Sequence, residues 1–269
     1  MFKALVPTAA ILLAAPLALS GESASKEIRR TVALDKDGRV AIETFKGTVK
    51  VAAWNRPQVD VTARIEADDA CGDLKYQAEM VRDTEVSIQG AGGSLSIRSD
   101  YDRVKDRHAW PVWPFSNCSA LPFVHYTISM PVSARLDVKD HKSRIEVADL
   151  AADVTVSTHK GDVRLTGVAG RVNLDTHKGD VRVVFAKMAG DSRFETHKGE
   201  IEITVPRDAH FAVSADVGRR GRLHSDFPVT TTSSGRRHHR EERLEAAVNG
   251  GGPALHLATH SGTFRLKSS

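Results

Sequence analysis

A chain of 269 residues with 38 Lys and Arg against 34 Asp and Glu is long enough for one large domain or two small ones. Its formal net charge of +4 is too small an excess to argue by itself for nucleic acid. Two cysteines without a Cys-x-x-Cys spacing give no redox motif.

The chain opens MFKALVPTAAILLAAPLALSGES, with Lys3 the sole charge before Glu22. The apolar run from Ala4 to Leu19 is short and broken by prolines, and small residues precede a break after Ser20. Residues 1–20 therefore read as a secretory signal peptide, leaving no transmembrane segment once it is removed. A periplasmic or extracellular protein is expected. In such a compartment Cys71 and Cys118 are expected to pair with each other.

Residues 21–131 read as a β-rich part. Strands are expected around Asp37-Gly38 and Lys46-Gly47 and over Val59–Ile65. Cys71–Val81 has a weak helical look, and Glu85–Ile88 and Ser94–Arg98 flank a glycine run as a hairpin would. Arg103–Pro122 reads as a loop holding Trp110, Trp113, Phe115 and Cys118, pinned by the disulfide and suited to cap one end of the fold. His125–Met130 is a further strand.

From residue 132 to 269 the chain repeats itself. The tetrads Asp140-His141-Lys142-Ser143, Thr158-His159-Lys160-Gly161, Thr176-His177-Lys178-Gly179 and Thr196-His197-Lys198-Gly199 follow one another at steps of 18, 18 and 20 residues. Thr44-Phe45-Lys46-Gly47 and Thr259-His260-Ser261-Gly262 share the pattern at greater distance. Apolar residues alternate before each tetrad (Val154, Val156; Val172, Leu174) and after it (Val163, Leu165; Val181, Val183; Ile201, Ile203). Period-two alternation around a glycine turn means strand, turn, strand. One such unit cannot bury its own apolar face, whereas stacked units share a continuous core. The fold class is therefore all-β, a β-solenoid of 18–20-residue units continuous with the N-terminal part. An antiparallel β-sandwich is the alternative.

The order of these motifs resembles the bacterial putative-adhesin family of β-strand-repeat domains of unknown function. The carriers are Gly38-Arg39-Val40-Ala41-Ile42 with Gly47-Thr48-Val49-Lys50-Val51, then Trp54 with Val59-Asp60-Val61, Ile128-Ser129-Met130-Pro131, the Thr-x-x-Gly-Asp-Val units, and Ala258-Thr259-His260-Ser261-Gly262. The resemblance covers nearly the whole chain after the leader. It implies an exported, solenoid-like β domain and no particular reaction. The chain departs from the family pattern by writing His-Lys in its turns and by adding the Trp-Pro loop.

Alternation places Thr158, Thr176 and Thr196 inward and His159, His177 and His197 outward at the corner, beside Lys160, Lys178 and Lys198. Such columns suit an anionic polymer, whose charges also repeat. A metal at His159, His177 and His197 is the weaker alternative, because Zn²⁺ needs converging ligands and a straight column diverges. From Arg135 to Glu202 the 12 basic and 12 acidic side chains cancel, while residues 219–243 carry seven arginines against three acids. This basic loop, expected to be unstructured over Thr230–Arg243, places Arg236, Arg237 and Arg240 as contacts for an anionic envelope glycan or lipid. Trp110, Trp113 and Phe115 are candidate aromatic contacts. Nucleic acid is not expected, since no stacking platform accompanies the arginines. No Gly-x-Ser-x-Gly and no His-Glu-x-x-His occurs. No catalytic residue and no cofactor is assigned. The expectation is an exported cell-envelope binding or scaffolding protein, with a polysaccharide-active enzyme on a β-helix scaffold as the alternative.

If Cys71 and Cys118 are bridged, intact-mass analysis after alkylation without reductant will show no added label. Closing a loop of this length contributes about 4 kcal/mol in the chain-entropy view, so reduction should also lower the melting temperature. Two labelled thiols would refute the pairing.

Overall fold

Val, Ile and Leu at every second position leave each strand one apolar face, and a single 18-residue unit has nothing to place against it. The computed structural model shows how the chain meets this need. It describes residues 24–68, 70, 74–108, 120–218, 220–228, 230–232 and 242–269. Residues 1–20, expected to be a signal peptide, both cysteines and the Trp110–Phe115 segment lie outside the described residues, as do Arg236, Arg237 and Arg240.

The N-terminal part contains β1 (Ser25–Glu43), β2 (Lys46–Trp54), β3 (Gln58–Glu66), α1 (Leu74–Asp83), β4 (Glu85–Asp100), α2 (Asp102–His108) and β5 (Phe123–Pro131). The weakly helical stretch is thus a helix. Asp102–His108, whose last six residues fall in the segment expected to be a loop, is helical too, opened by the Asp102 N–H donating to the Asp100 side chain at 2.9 Å. The glycine run 90–93 falls inside β4.

The repeats then supply two strands each. They are β6 (Arg135–Asp140) with β7 (Lys142–Ala148), β8 (Val154–Lys160) with β9 (Val163–Val168), β10 (Val172–Lys178) with β11 (Val181–Phe185), and β12 (Ser192–Lys198) with β13 (Glu200–Val205). The first strand of each unit lies parallel to the first strand of the next, and the second to the second. The antiparallel sandwich is excluded by this pairing. The fold is a β-solenoid with two sheets meeting at the tetrad corner.

The register superposes like on like. In one sheet Ile42, Val138, Val156, Leu174, Phe194 and Leu257 form an inward column. In the other, Val49, Ile145, Val163, Val181, Ile201 and Phe264 do the same. All of these side chains are buried. Burying each such residue is worth about 1.5–3 kcal/mol, and each coil gains it only from its neighbours.

The chain continues as β14 (Phe211–Val217), β15 (Arg222–Ser225), β16 (Thr230–Thr232), β17 (Glu242–Val248), β18 (Ala254–Thr259) and β19 (Thr263–Ser268). The last coil, β18–β19, does not add to the end of the stack. It inserts between β12–β13 and β14–β15, so that Thr259 pairs with Thr196 across 63 residues of sequence. The opposite end has the same plan: the coil made by β1 and β2 lies inside, covered by β4 on one sheet and by β5 on the other. The segment expected to be unstructured over Thr230–Arg243 is partly strand, with Thr230–Thr232 antiparallel to residues 243–245 of β17 and β17 antiparallel to β14. These strands finish an edge of the sheet.

At the corner, Gly179 has a φ of 147°, a conformation that side-chain-bearing residues rarely adopt. A Cβ there would overlap the Gly161 carbonyl oxygen of the coil below. Gly179→Val should therefore cost at least about 3 kcal/mol, whereas His177→Ala should lower the thermal midpoint several-fold less. Equal losses in thermal melts would contradict stacking at this corner.

Candidate functional site

The tetrad corner is assembled from the inside out. Thr158, Thr176, Thr196 and Thr259 are buried, as alternation requires. Thr158 Oγ1 donates to Asp140 Oδ2 at 2.8 Å, and Thr196 Oγ1 donates to the Lys198 carbonyl at 3.0 Å. Asp140, which stands where other units have threonine, also accepts the Ser143 N–H at 2.7 Å and so closes its own turn. The acids after the glycines have a task that their signs alone do not reveal. Asp162 Oδ1 accepts the Asp180 N–H at 3.2 Å, and Asp180 Oδ1 accepts the Glu200 N–H at 3.1 Å. They tie each coil to the next.

Outside this frame the histidines form one stack. Ring centroids lie 5.0 Å apart for His141–His159, 4.8 Å for His159–His177, 4.8 Å for His177–His197 and 4.9 Å for His197–His260, with interplanar angles of 10° or less. Phe45 caps the column at 4.7 Å from His141 and meets Tyr101 edge-on at 6.2 Å. His159, His177 and His197 are therefore together, as expected. His141, His260 and Phe45 were missed as members, although the tetrad alignment already contained them.

The parallel rings decide what the column can hold. Imidazole lone pairs lie in the ring plane, so neighbouring nitrogens aim along parallel directions about one rung apart. A single ion bound at about 2.0–2.1 Å from each nitrogen needs the rings to tilt towards each other. Among the described residues no cluster of three or more His, Cys, Asp or Glu is placed to hold a metal.

The lysines divide into two kinds. Lys46 is buried, ion-paired with Asp68, and its Nζ lies 3.9 Å from the centre of the Phe123 ring. Burial opposes ionisation of Asp68, but the hydrogen bonds from Lys46 and the Ala70 N–H hold its carboxyl below the usual value. Lys142, Lys160, Lys178 and Lys198 are exposed and form no ion pair with a described residue. On the flat faces, by contrast, Arg39 pairs with Asp137, Arg193 with Glu195, Arg182 with Glu202 at 3.0 Å and Arg265 with Glu200 at 2.6 Å. The Lys267 hydrogen bond, helped by Arg182, holds the Glu202 carboxyl low.

A groove of about 770 Å³ runs beside the ring stack and is lined by His159, His177, His197 and His260 together with Asp175, Glu195 and Asp216. A second groove of about 610 Å³, on the other sheet, is lined by Arg144, Arg164 and Arg182 among acids. The remaining candidates, Arg236, Arg237, Arg240, Trp110, Trp113, Phe115, Cys71 and Cys118, lie outside the described residues.

A solenoid with a stacked polar corner and paired flat faces defines the class of protein. The chain belongs to the Toastrack DUF4097 family, whose model matches residues 129–267. No curated protein matches it. Among solved structures it is similar to a "putative cell adhesion protein" from Clostridium sporogenes ATCC 15579, at 10% identity over 91% of this chain and 100% of that one, with a TM-score of 0.44. It is also similar to a "putative adhesin" from Bacteroides fragilis NCTC 9343 (11% identity, 91% and 97% covered, TM-score 0.33). A "putative lipid binding protein" from Parabacteroides distasonis ATCC 8503 is a third (8% identity, 89% and 96% covered, TM-score 0.25).

Stacking strips water from the ring faces of His159 and His197, and the neighbouring His177 opposes their charging further, so both stay below the ordinary histidine value of 6.5. The unfolded chain then binds these protons more readily than the folded one. Their contribution to stability is complete above about pH 6.5 and is lost as pH falls below it. The melting midpoint should be higher at about pH 7.5 than at about pH 5.5, and His159→Gln with His197→Gln should narrow the gap. A gap of unchanged size would refute the assignment.

Proposed function

We propose that the protein is an exported binding or scaffolding element of the cell envelope, not an enzyme, and that it contacts an anionic envelope polymer or lipid. One observation carries this reading: Lys160, Lys178 and Lys198 stand in register on one corner, without described ion-pair partners, while Arg39, Arg182, Arg193 and Arg265 on the flat faces are matched to acids. The turns of a solenoid need glycine and tolerate any exposed side chain beside it. Three cations in a row without an ion-pair partner among the described residues serve no evident packing need. The basic segment with Arg236, Arg237 and Arg240 adds positive charge in the same chain and extends the same reading. The leader at residues 1–20 supports export, and among the described residues no helix is long and apolar enough to cross a membrane. The cysteine pair and the aromatic residues Trp110, Trp113 and Phe115 are read as an end cap that also offers a secondary contact surface.

Attraction between exposed charges acts across water and is screened over about 10 Å at 0.1 M salt. Binding of the mature protein to immobilised lipopolysaccharide should weaken steeply with salt. Lys160→Ser, Lys178→Ser and Lys198→Ser together should cut it by about tenfold or more, and Arg236→Ser, Arg237→Ser and Arg240→Ser should reduce it separately. Binding that ignores both salt and the lysine substitutions would overturn the reading.

A further inference from the structure

Each ring from His141 to His197 is covered on both faces by its neighbours, so for these rings only the edges, which carry the nitrogens, are open to a partner. A neutral imidazole edge offers one donor and one acceptor; a protonated one offers two donors and a charge. The coils of His141, His159, His177 and His197 set a lysine next to the ring, where that of His260 has Ser261, and Lys160, Lys178 and Lys198 are in register. The corner is thus a strip that repeats one imidazole edge and one ammonium at the rung spacing of about 4.8 Å.

Protonating such a strip is self-limiting. A charged His177 disfavours charge on His159 and His197, and the adjacent lysines act the same way. Asp175, Glu195 and Asp216 line the same groove, and negative charge nearby favours protonation. Asp140, the acid nearest the corner interior, is committed to Thr158 and the Ser143 N–H, and Tyr101 beyond Phe45 is a buried neutral phenol. An external row of negative charge along the strip removes the repulsion among the imidazoles. The groove carboxylates keep that row on the lysine side.

We propose that the stacked ladder from His141 to His260 is a proton-gated docking strip for a linear, strongly acidic polymer laid along the solenoid axis, which takes up protons as it binds. The proposal rests on the anionic-polymer reading above and names its track and its regulation. A polymer bearing sulfate or phosphodiester groups fits, because these stay charged where imidazole titrates. At neutral pH the lysines hold it weakly; as pH falls through the histidine range the ladder joins them. Linkage makes the effects reciprocal: whatever factor protons add to polymer affinity, the polymer adds to proton affinity.

Dextran sulfate is a suitable probe, with uncharged dextran as control and anionic phospholipid vesicles to distinguish a lipid source of the same charge. At constant ionic strength, affinity for dextran sulfate should rise at least about tenfold from pH 7.5 to 5.5, since each proton taken up changes affinity by up to tenfold per pH unit. The rise should persist when Arg236 and Arg237 are changed to Ser, His238 and His239 to Gln, and Arg240 to Ser. It should fall below about twofold with His159→Gln, His177→Gln and His197→Gln. Calorimetry of the wild type near pH 6, in two buffers of different ionisation enthalpy, should show net proton uptake without relying on any variant. Loss of the pH-dependent rise in the loop variant, its survival in the ladder variant, or binding without proton uptake would overturn the gating. Binding to vesicles but not to dextran sulfate would overturn the linear polymer. If the wild type binds neither at any pH, the anionic-polymer reading itself fails.

Discussion

The structure depends on one constraint: parallel coils stacked in register through their backbone hydrogen bonds. Once the rung spacing is set near 4.8 Å, each residue lies over its counterpart in the next coil, and whatever the unit contains is repeated as a column. The corner shows how tight the constraint is. Gly179 lies against the Gly161 carbonyl, and Gly199 against that of Gly179, with no room for a side chain between them. The acids that follow these glycines span the gap from the side, each accepting the N–H of the coil above.

Columns of like residues are harmless when apolar and costly when charged. The inner faces take the first course, with Val, Ile, Leu and Phe stacked on one another. On the flat outer faces arginine meets an acid of the next coil at some positions, as with Arg182 and Glu202, although Arg164 lies directly opposite Arg182. The corner adopts a third arrangement. Imidazole stacks as a flat ring while neutral and keeps the capacity to charge, so the histidine column packs like an aromatic one and still responds to pH. Phe45 shows the packing half of this role by itself, since it occupies the same position with no titratable group.

Both ends of the solenoid are finished by chain that leaves the stack and returns. The first and last coils in sequence are the second and second-to-last in space, covered by β4 and β5 at one end and by β14 and β15 at the other. An open parallel edge is a template for another chain, and this plan replaces a regular edge with short or antiparallel strands. Thr230–Thr232, from the non-alternating stretch of the sequence, fall in these end structures.

Much of this was legible in the sequence. The tetrads, the alternation around them and their constant spacing determine strand, turn and strand, and near-identical units determine stacking, because no unit can bury its face alone. The outward histidines and inward threonines follow from the same period of two. Tertiary structure alone decided the rest. That β18–β19 inserts ahead of β14–β15 depends on which edges are free when the chain folds back, and no local pattern encodes it. That Lys46 is buried against Asp68 and Phe123 while Lys160, Lys178 and Lys198 remain open is likewise invisible in tetrads that read alike. The sequence by itself determined what each coil presents. Only the packing of coils on one another, and of the end strands over them, decided which presented groups are neutralised and which stay exposed, because charge pairing is set by neighbours in space that local spacing does not specify.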